Sequence, residues 1–209
     1  METNEVLRAR SKQGNADAQF RLGYRAAIGR GKIADWKQAY RYWAKAAGSG
    51  HVRAMFYLGV CYDNGLGVRR TPAVAAKWYK RAAAQQHHEA QFNLGMLYRD
   101  GTGVTQDSRM AAKYFALGAK SGNSEAAREY GVCFAEGRGV SKSYASAVRW
   151  YRFAALKGDV IAQHNLALCY LYGDGVHKSR ARAISWLLRA ARHKYQKASE
   201  LLRRIRKAG

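Results

Sequence analysis

The sequence repeats itself every 36 residues, and a fixed period of this length commits a chain to stacked supersecondary units rather than to one conventional globular core. The alanines Ala18, Ala54, Ala90, Ala126, Ala162 and Ala198 keep the spacing, as do Leu22, Leu58, Leu94, Tyr130, Leu166 and Leu202 four residues further on. Loop glycines recur as Gly29 and Gly31, Gly65 and Gly67, Gly101 and Gly103, Gly137 and Gly139, Gly173 and Gly175. With each alanine as position 1, positions 25 and 26 read Tyr42-Trp43, Trp78-Tyr79, Tyr114-Phe115, Trp150-Tyr151 and Trp186-Leu187. Small pairs follow at Ala46-Ala47, Ala82-Ala83, Gly118-Ala119, Ala154-Ala155 and Ala190-Ala191.

The copy from Ala90 to Glu125 shows what each unit folds into. Ala90, Leu94 and Tyr98 lie four apart, on one side of a short helix. Gly101 and Gly103 interrupt it as a tight turn with positive φ would. Asp107 fits the N-cap of a second helix, whose Ala111, Tyr114, Phe115, Gly118 and Ala119 form an apolar stripe of helical period. Gly122 terminates that helix and Asn123 caps the next. Asp35, Ser143 and Ser179 take the same cap position as Asp107, and Thr71 takes it with Pro72 at the first helical residue. Residues 4–14 read as a lone helix, with Val6-Leu7 in register with the aromatic pairs, and a last helix starts at Ala198. The expectation is twelve helices in one continuous domain. Residues 1–17 form an N-terminal capping half-repeat, hairpins span 18–53, 54–89, 90–125, 126–161 and 162–197, and 198–209 close the stack.

At these residues the sequence resembles the Sel-one-like repeat (SLR) family, α/α relatives of the tetratricopeptide repeats, over residues 18 to about 205. The resemblance implies an all-α, right-handed α/α superhelical solenoid that serves as a scaffold for protein–protein contacts. It carries no catalytic motif and no cofactor, so a non-enzymatic protein is expected. Departures from the pattern are local: Ala26 replaces an aromatic, Lys32 the loop valine, and Ala167 the glycine of the fifth repeat.

Cys61, Cys133 and Cys169 share repeat position 8. Stacked units sit roughly 10 Å apart, too far for a disulfide, so three unpaired thiols point to a reducing, cytoplasmic setting. No apolar run reaches the length of a signal peptide core or of a membrane span. His87, His88 and Glu89 lack further partners at metal-ligand spacing, so no metal site is expected.

The formal charge is +23, concentrated at the ends: residues 1–17 are neutral, the five repeats carry +7, +3, +1, +3 and +6, and the tail from Ala198 carries +3. Position 24 supplies one cation per unit at Arg41, Lys77, Lys113 and Arg149, and becomes Ser185 in the fifth. Second helices line the outside of such superhelices, so these four residues make a convex basic ladder: either a solvated face or a binder of polyanions.

On the first helices, positions 3, 4, 7, 10 and 11 should line the concave groove, where the repeat dictates no identity. Tyr57, Asn93 and Asn165 can hydrogen-bond an extended backbone, Arg21, Arg25 and Arg128 can meet carboxylates, and Tyr24 and Tyr172 are candidate aromatic anchors. Phe20, Phe56 and Phe92 read instead as packing between helices. The functional expectation is a scaffold or adaptor for an acidic protein partner, with an effector-partner or immunity-type role as the version the resemblance suggests. The alternative is sequence-nonspecific binding of nucleic acid or another polyanion through the ladder.

Overall fold

The computed structural model describes residues 2–29 and 33–207, and these contain twelve helices and no strand. Gly31 and Lys32 lie outside the described residues. The helices are α1 (Asn4–Lys12), α2 (Ala16–Ile28), α3 (Trp36–Gly48), α4 (Val52–Asn64), α5 (Pro72–Ala84), α6 (His88–Asp100), α7 (Ser108–Lys120), α8 (Ser124–Glu136), α9 (Tyr144–Leu156), α10 (Val160–Tyr172), α11 (Arg180–Arg192) and α12 (Gln196–Lys207). The fold is an all-α repeat fold, with α2, α4, α6, α8, α10 and α12 as first helices and α3, α5, α7, α9 and α11 as second helices. The chain gathers into two compact units, Met1–Asp107 and Ser108–Gly209. Within each, every helix packs on its neighbours in sequence.

The core repeats with the sequence. Trp43, Tyr79, Phe115 and Leu187, all at position 26, are fully buried, as are Ala46, Ala82, Ala154 and Ala190. Position 6 must stay small because the aromatic lies directly on it. A Cβ on Gly23 would stand 2.6 Å from the Trp43 Nε1, and one on Gly59 would stand 2.4 Å from the Tyr79 ring. On Gly131 it would stand 2.7 Å from the Tyr151 ring. Ala167 occupies this position in the repeat whose position 26 is the non-aromatic Leu187. Position 25 behaves differently: Trp78, Trp150 and Trp186 are half-buried at the surface rather than in the core. Arg81 and Arg189 lie over Trp78 and Trp186, 4.4 and 4.6 Å from the ring centres. Their charged heads sit over the rings while remaining wet.

Helix ends follow the residues available to them. The side chains of Asp35, Ser143 and Ser179 accept from the amides of Gln38, Ser146 and Arg182. Thr71 does not cap α5 with its side chain; its hydroxyl donates to the Arg69 carbonyl, 3.1 Å away. Pro72, in the first turn, has no amide to satisfy, which lowers the demand there. Buried glutamines join successive helices: Gln19, Gln91 and Gln163 donate to the carbonyls of Ser11, Ala83 and Ala155. Each thereby adds a second donor to a carbonyl at the end of the preceding helix, which already accepts from a turn amide.

The first helices are capped at the position of Asn123, as its sequence context predicts, but with different residue types. Asn15, Asn123 and Asp159 accept from amides at 2.8, 2.6 and 2.7 Å. In α4 and α6 the cap is a histidine: His51 Nδ1 accepts from Ala54 N at 3.2 Å and His87 Nδ1 from Ala90 N at 3.4 Å. An accepting Nδ1 carries no proton. Burial lowers the pKa of both histidines, against an upward pull from Asp17 on His51 and from Glu89 on His87.

The native state therefore disfavours protons that the unfolded chain accepts. The stabilisation is complete above the ordinary histidine value of about 6.5 and is lost as pH falls below it, through the depressed native values. We expect urea midpoints to fall between pH 7 and pH 5, and the double variant His51→Asn/His87→Asn to flatten that fall while keeping both caps. A variant whose pH dependence matched the parent would contradict this assignment.

Candidate partner-binding surfaces

In the first unit, the exposed face of α2, α4 and α6 is built on an aromatic cluster. The Tyr57 ring stacks on Trp43 at 4.7 Å and meets Tyr24 edge-on at 6.2 Å. Phe20 and Phe56 flank it at 5.8 and 5.3 Å. The Trp43 indole N–H donates to the Phe20 carbonyl, which fixes the ring beneath. Phe20 stacks on His51 and Phe56 on His87, each at 4.7 Å, so these phenylalanines bind one repeat to the next cap. Burial raises the Tyr57 pKa and keeps the phenol protonated. Tyr57 is thus half support and half surface, whereas Tyr24 is 42% exposed and Ile28 49% exposed beside it.

Around this cluster the polar candidates are partly engaged. Arg21 pairs with Asp17 at 2.8 Å and with Glu2 at 3.0 Å, yet stays half exposed. Arg25 donates to the Asn4 Oδ1 and the Glu2 carbonyl, both at 2.7 Å, which ties α2 to the N-terminal segment. Asn93 is half-buried on α6.

In the second unit Arg128 takes the repeat position of Phe20 and Phe56, and solves the same packing task with charge. It pairs with Glu129 and, at 3.2 Å, with the cap residue Asp159. All three side chains are largely buried, so Arg128 already has carboxylates of its own chain. Removing one member of such a group would leave an uncompensated charge. Asn165 is half-buried, and Tyr172 stands 65% exposed.

The proposed ladder residues are all exposed: Arg41 and Lys77 in the first unit, Lys113 and Arg149 in the second. No ion pair among the described residues involves them. The cysteines are buried and form no disulfide; burial pushes the Cys61 thiol up to about 12 and is the main cause that takes Cys169 to about 11. They are small apolar packing groups at neutral pH. Among the described residues, no helix is long and apolar enough to cross a membrane, and no three potential ligand side chains gather as a metal site would need.

Stacked helical hairpins with a variable exposed face define a repeat scaffold. The Sel1 repeat profile matches residues 16–51, 52–87, 88–123, 124–159 and 160–195, and the chain belongs to the Sel1 repeat family, whose members are protein-interaction scaffolds. These frames begin two residues before those read from the alanines, at the starts of α2, α4, α6, α8 and α10. A protective antigen present in uropathogenic Escherichia coli strains, which displays an SLR fold, is 34% identical with a TM-score of 0.93. That alignment covers 97% of this chain and 43% of the antigen, so the chain spans less than half of that relative. A Sel1 repeat protein from Oxalobacter formigenes is 33% identical with a TM-score of 0.84, over 91% of this chain and 76% of its own. An immunity protein from Pseudomonas aeruginosa shares the fold at 22% identity and a TM-score of 0.55, over 84% of this chain and 64% of its own. No functionally curated sequence matches the chain.

Proposed function

We propose that this protein is a non-enzymatic adaptor that holds an acidic protein partner on the first-helix face of α2, α4 and α6. The observation that carries this reading is the exposed patch of Tyr24 and Ile28 beside Arg21, a surface that repeat packing does not require. Preformed helices present these groups with little ordering cost, and the surrounding positive field favours an acidic partner. Asn93, Asn165, Tyr57, Arg25, Arg128 and Tyr172 are the further contact residues of this reading. Arg128 acts mainly by holding its helix in place. An effector-partner or immunity-type role is one form of the proposal; the likeness to the Pseudomonas protein concerns the fold. Three buried thiols suit a reducing, cytoplasmic setting.

The second reading, binding of nucleic acid or another polyanion, is favoured by the exposed, unpaired cations Arg41, Lys77, Lys113 and Arg149. Two variants separate the readings. Tyr24→Ala/Arg21→Glu is expected to reduce capture of the native partner at least tenfold while sparing polyanion binding. Reversal of the four ladder charges is expected to do the opposite. Partner capture that survives the first variant and fails with the second contradicts the adaptor reading. Tyr57→Phe is preferred to Tyr57→Ala on this face, because it removes only the hydroxyl and leaves the stack on Trp43.

A further inference from the structure

In a chain of net charge +23, one half-buried carboxylate lines a cleft. Several acids are spent within the fold: Glu2, Asp17, Glu129 and Asp159 pair with guanidinium groups, and Asp35 caps a helix. Asp63 is half-buried in the last turn of α4, and its Oδ2 accepts only from the Tyr79 hydroxyl, at 3.4 Å. No cation among the described residues forms an ion pair with it. Arg70 directs its Nε instead to the Asp63 main-chain carbonyl, 2.7 Å away. Burial raises the Asp63 pKa, with Arg70 and the Tyr79 hydrogen bond opposing, so its charge is incompletely compensated.

Asp63 opens into a cleft of ≈ 420 Å³ between the C-terminal turns of α4 and α6. Val60, Phe92 and Met96 give it an apolar wall, while Asn93 and Asp100 add polar groups. Asp100, at the end of α6, is about half exposed and takes two hydrogen bonds from Arg99, at 2.7 and 3.1 Å. Both helices direct their carbonyl ends toward this region, which favours positive charge. The repeat does not require an acid at position 10, where the sequence reads Ala27, Asp63, Arg99, Ala135 and Leu171.

We propose that this cleft receives one basic side chain, arginine or lysine, from an extended segment of the protein partner. The stem lies against Val60, Phe92 and Met96, and the cationic head meets Asp63, with Asp100 at the rim. This pairing of an apolar wall with a carboxylate fits a long side chain ending in charge, and disfavours an acidic or a short one. The inference rests on the adaptor reading for its partner, and adds a fixed anchor point on a surface that otherwise attracts acids. An acidic partner would be held in register by one basic residue.

The test is a ¹⁵N-resolved titration of the full chain with acetyl-Gly-Arg-Gly-amide and with the same peptide carrying citrulline, its uncharged isostere. Saturable shifts are expected at the amides of residues 60–64 and 96–102 with the arginine peptide. Affinity should fall at least fivefold with citrulline, and in Asp63→Asn, which keeps an acceptor for Tyr79. Equal shifts with both peptides, shifts scattered over the chain, or unchanged binding to Asp63→Asn would overturn the proposal. The citrulline comparison uses the parent protein, so it decides the matter even if the variant folds poorly. A null titration removes this anchor while leaving the adaptor reading standing. Failure of partner capture by the Tyr24 face leaves the titration result unaffected.

Discussion

Gly59→Ala is expected to destabilise the protein by about 2–3 kcal/mol, and combining it with Tyr79→Leu is expected to recover part of that loss. A Cβ at Gly59 would lie 2.4 Å from two carbons of the Tyr79 ring, and that residue is fully buried. Overpacking of this kind typically costs 1–3 kcal/mol. Tyr79→Leu alone also destabilises, because it empties aromatic volume from the core. The two changes should nevertheless compensate, since each creates what the other lacks. Denaturant titrations of the four proteins of the cycle should give a coupling of about 1–2 kcal/mol, within the range seen for residues in contact. The fifth repeat already carries this combination, with Ala167 and Leu187 in the equivalent places. Additivity within about 0.5 kcal/mol would show that the glycine answers to something other than the aromatic.

Gly139→Ala should cost more than any other glycine-to-alanine change in its loop, about 4 kcal/mol or more, against roughly 1–2 for Gly137→Ala. Both residues have positive φ, at 72° and 75°. They differ in what surrounds them. At Gly137 a Cβ would stand 3.3 Å from the Lys142 Cβ, which can shift slightly. At Gly139 it would stand 2.0 Å from the Ser108 carbonyl oxygen and 2.4 Å from its carbon, which are backbone atoms fixed at the start of α7. The same approach recurs where Gly67 meets Trp36 and Gly175 meets Tyr144. Conformation alone is bearable elsewhere: Gln86 and Lys194 adopt φ of 62° and 59° at the turn where Gly14, Gly50 and Gly158 have no neighbour within 4 Å. Comparable losses for the two variants, measured by thermal unfolding, would mean that turn strain rather than contact between hairpins sets the requirement.

The helices could be read from the sequence because one pattern is written repeatedly, so a local substitution such as Ala167 does not erase it. Caps with oxygen side chains, as at Asp35, Ser143 and Ser179, follow from residue type and place. His51 and His87 do not: imidazole is an uncommon cap, and adjacent His88 and Glu89 direct attention to metal chemistry instead. Their role emerges only when the Nδ1 is seen beneath an amide. The pairing of Arg128 with Asp159 was hidden for a related reason, since the partners are 31 residues apart and meet only through the stacking of α8 and α10. Charge counts locate the basic ends, but they miss the half-buried Asp63 and its cleft, because a sum cannot show which carboxylates are already satisfied. Similarly, an apolar count does not show that Trp78 and Trp186 lie at the surface beneath arginine side chains.

The most direct test of the account is fluorescence anisotropy of labelled duplex and single-stranded DNA and RNA, titrated with the purified chain across salt concentration. A scaffold for a protein partner predicts weak attraction at low salt that vanishes near 0.15 M, where charges are screened beyond about 8 Å. Tight binding that persists at that ionic strength, with a steep salt slope lost on reversing Arg41, Lys77, Lys113 and Arg149, would contradict the account and make nucleic acid the natural ligand.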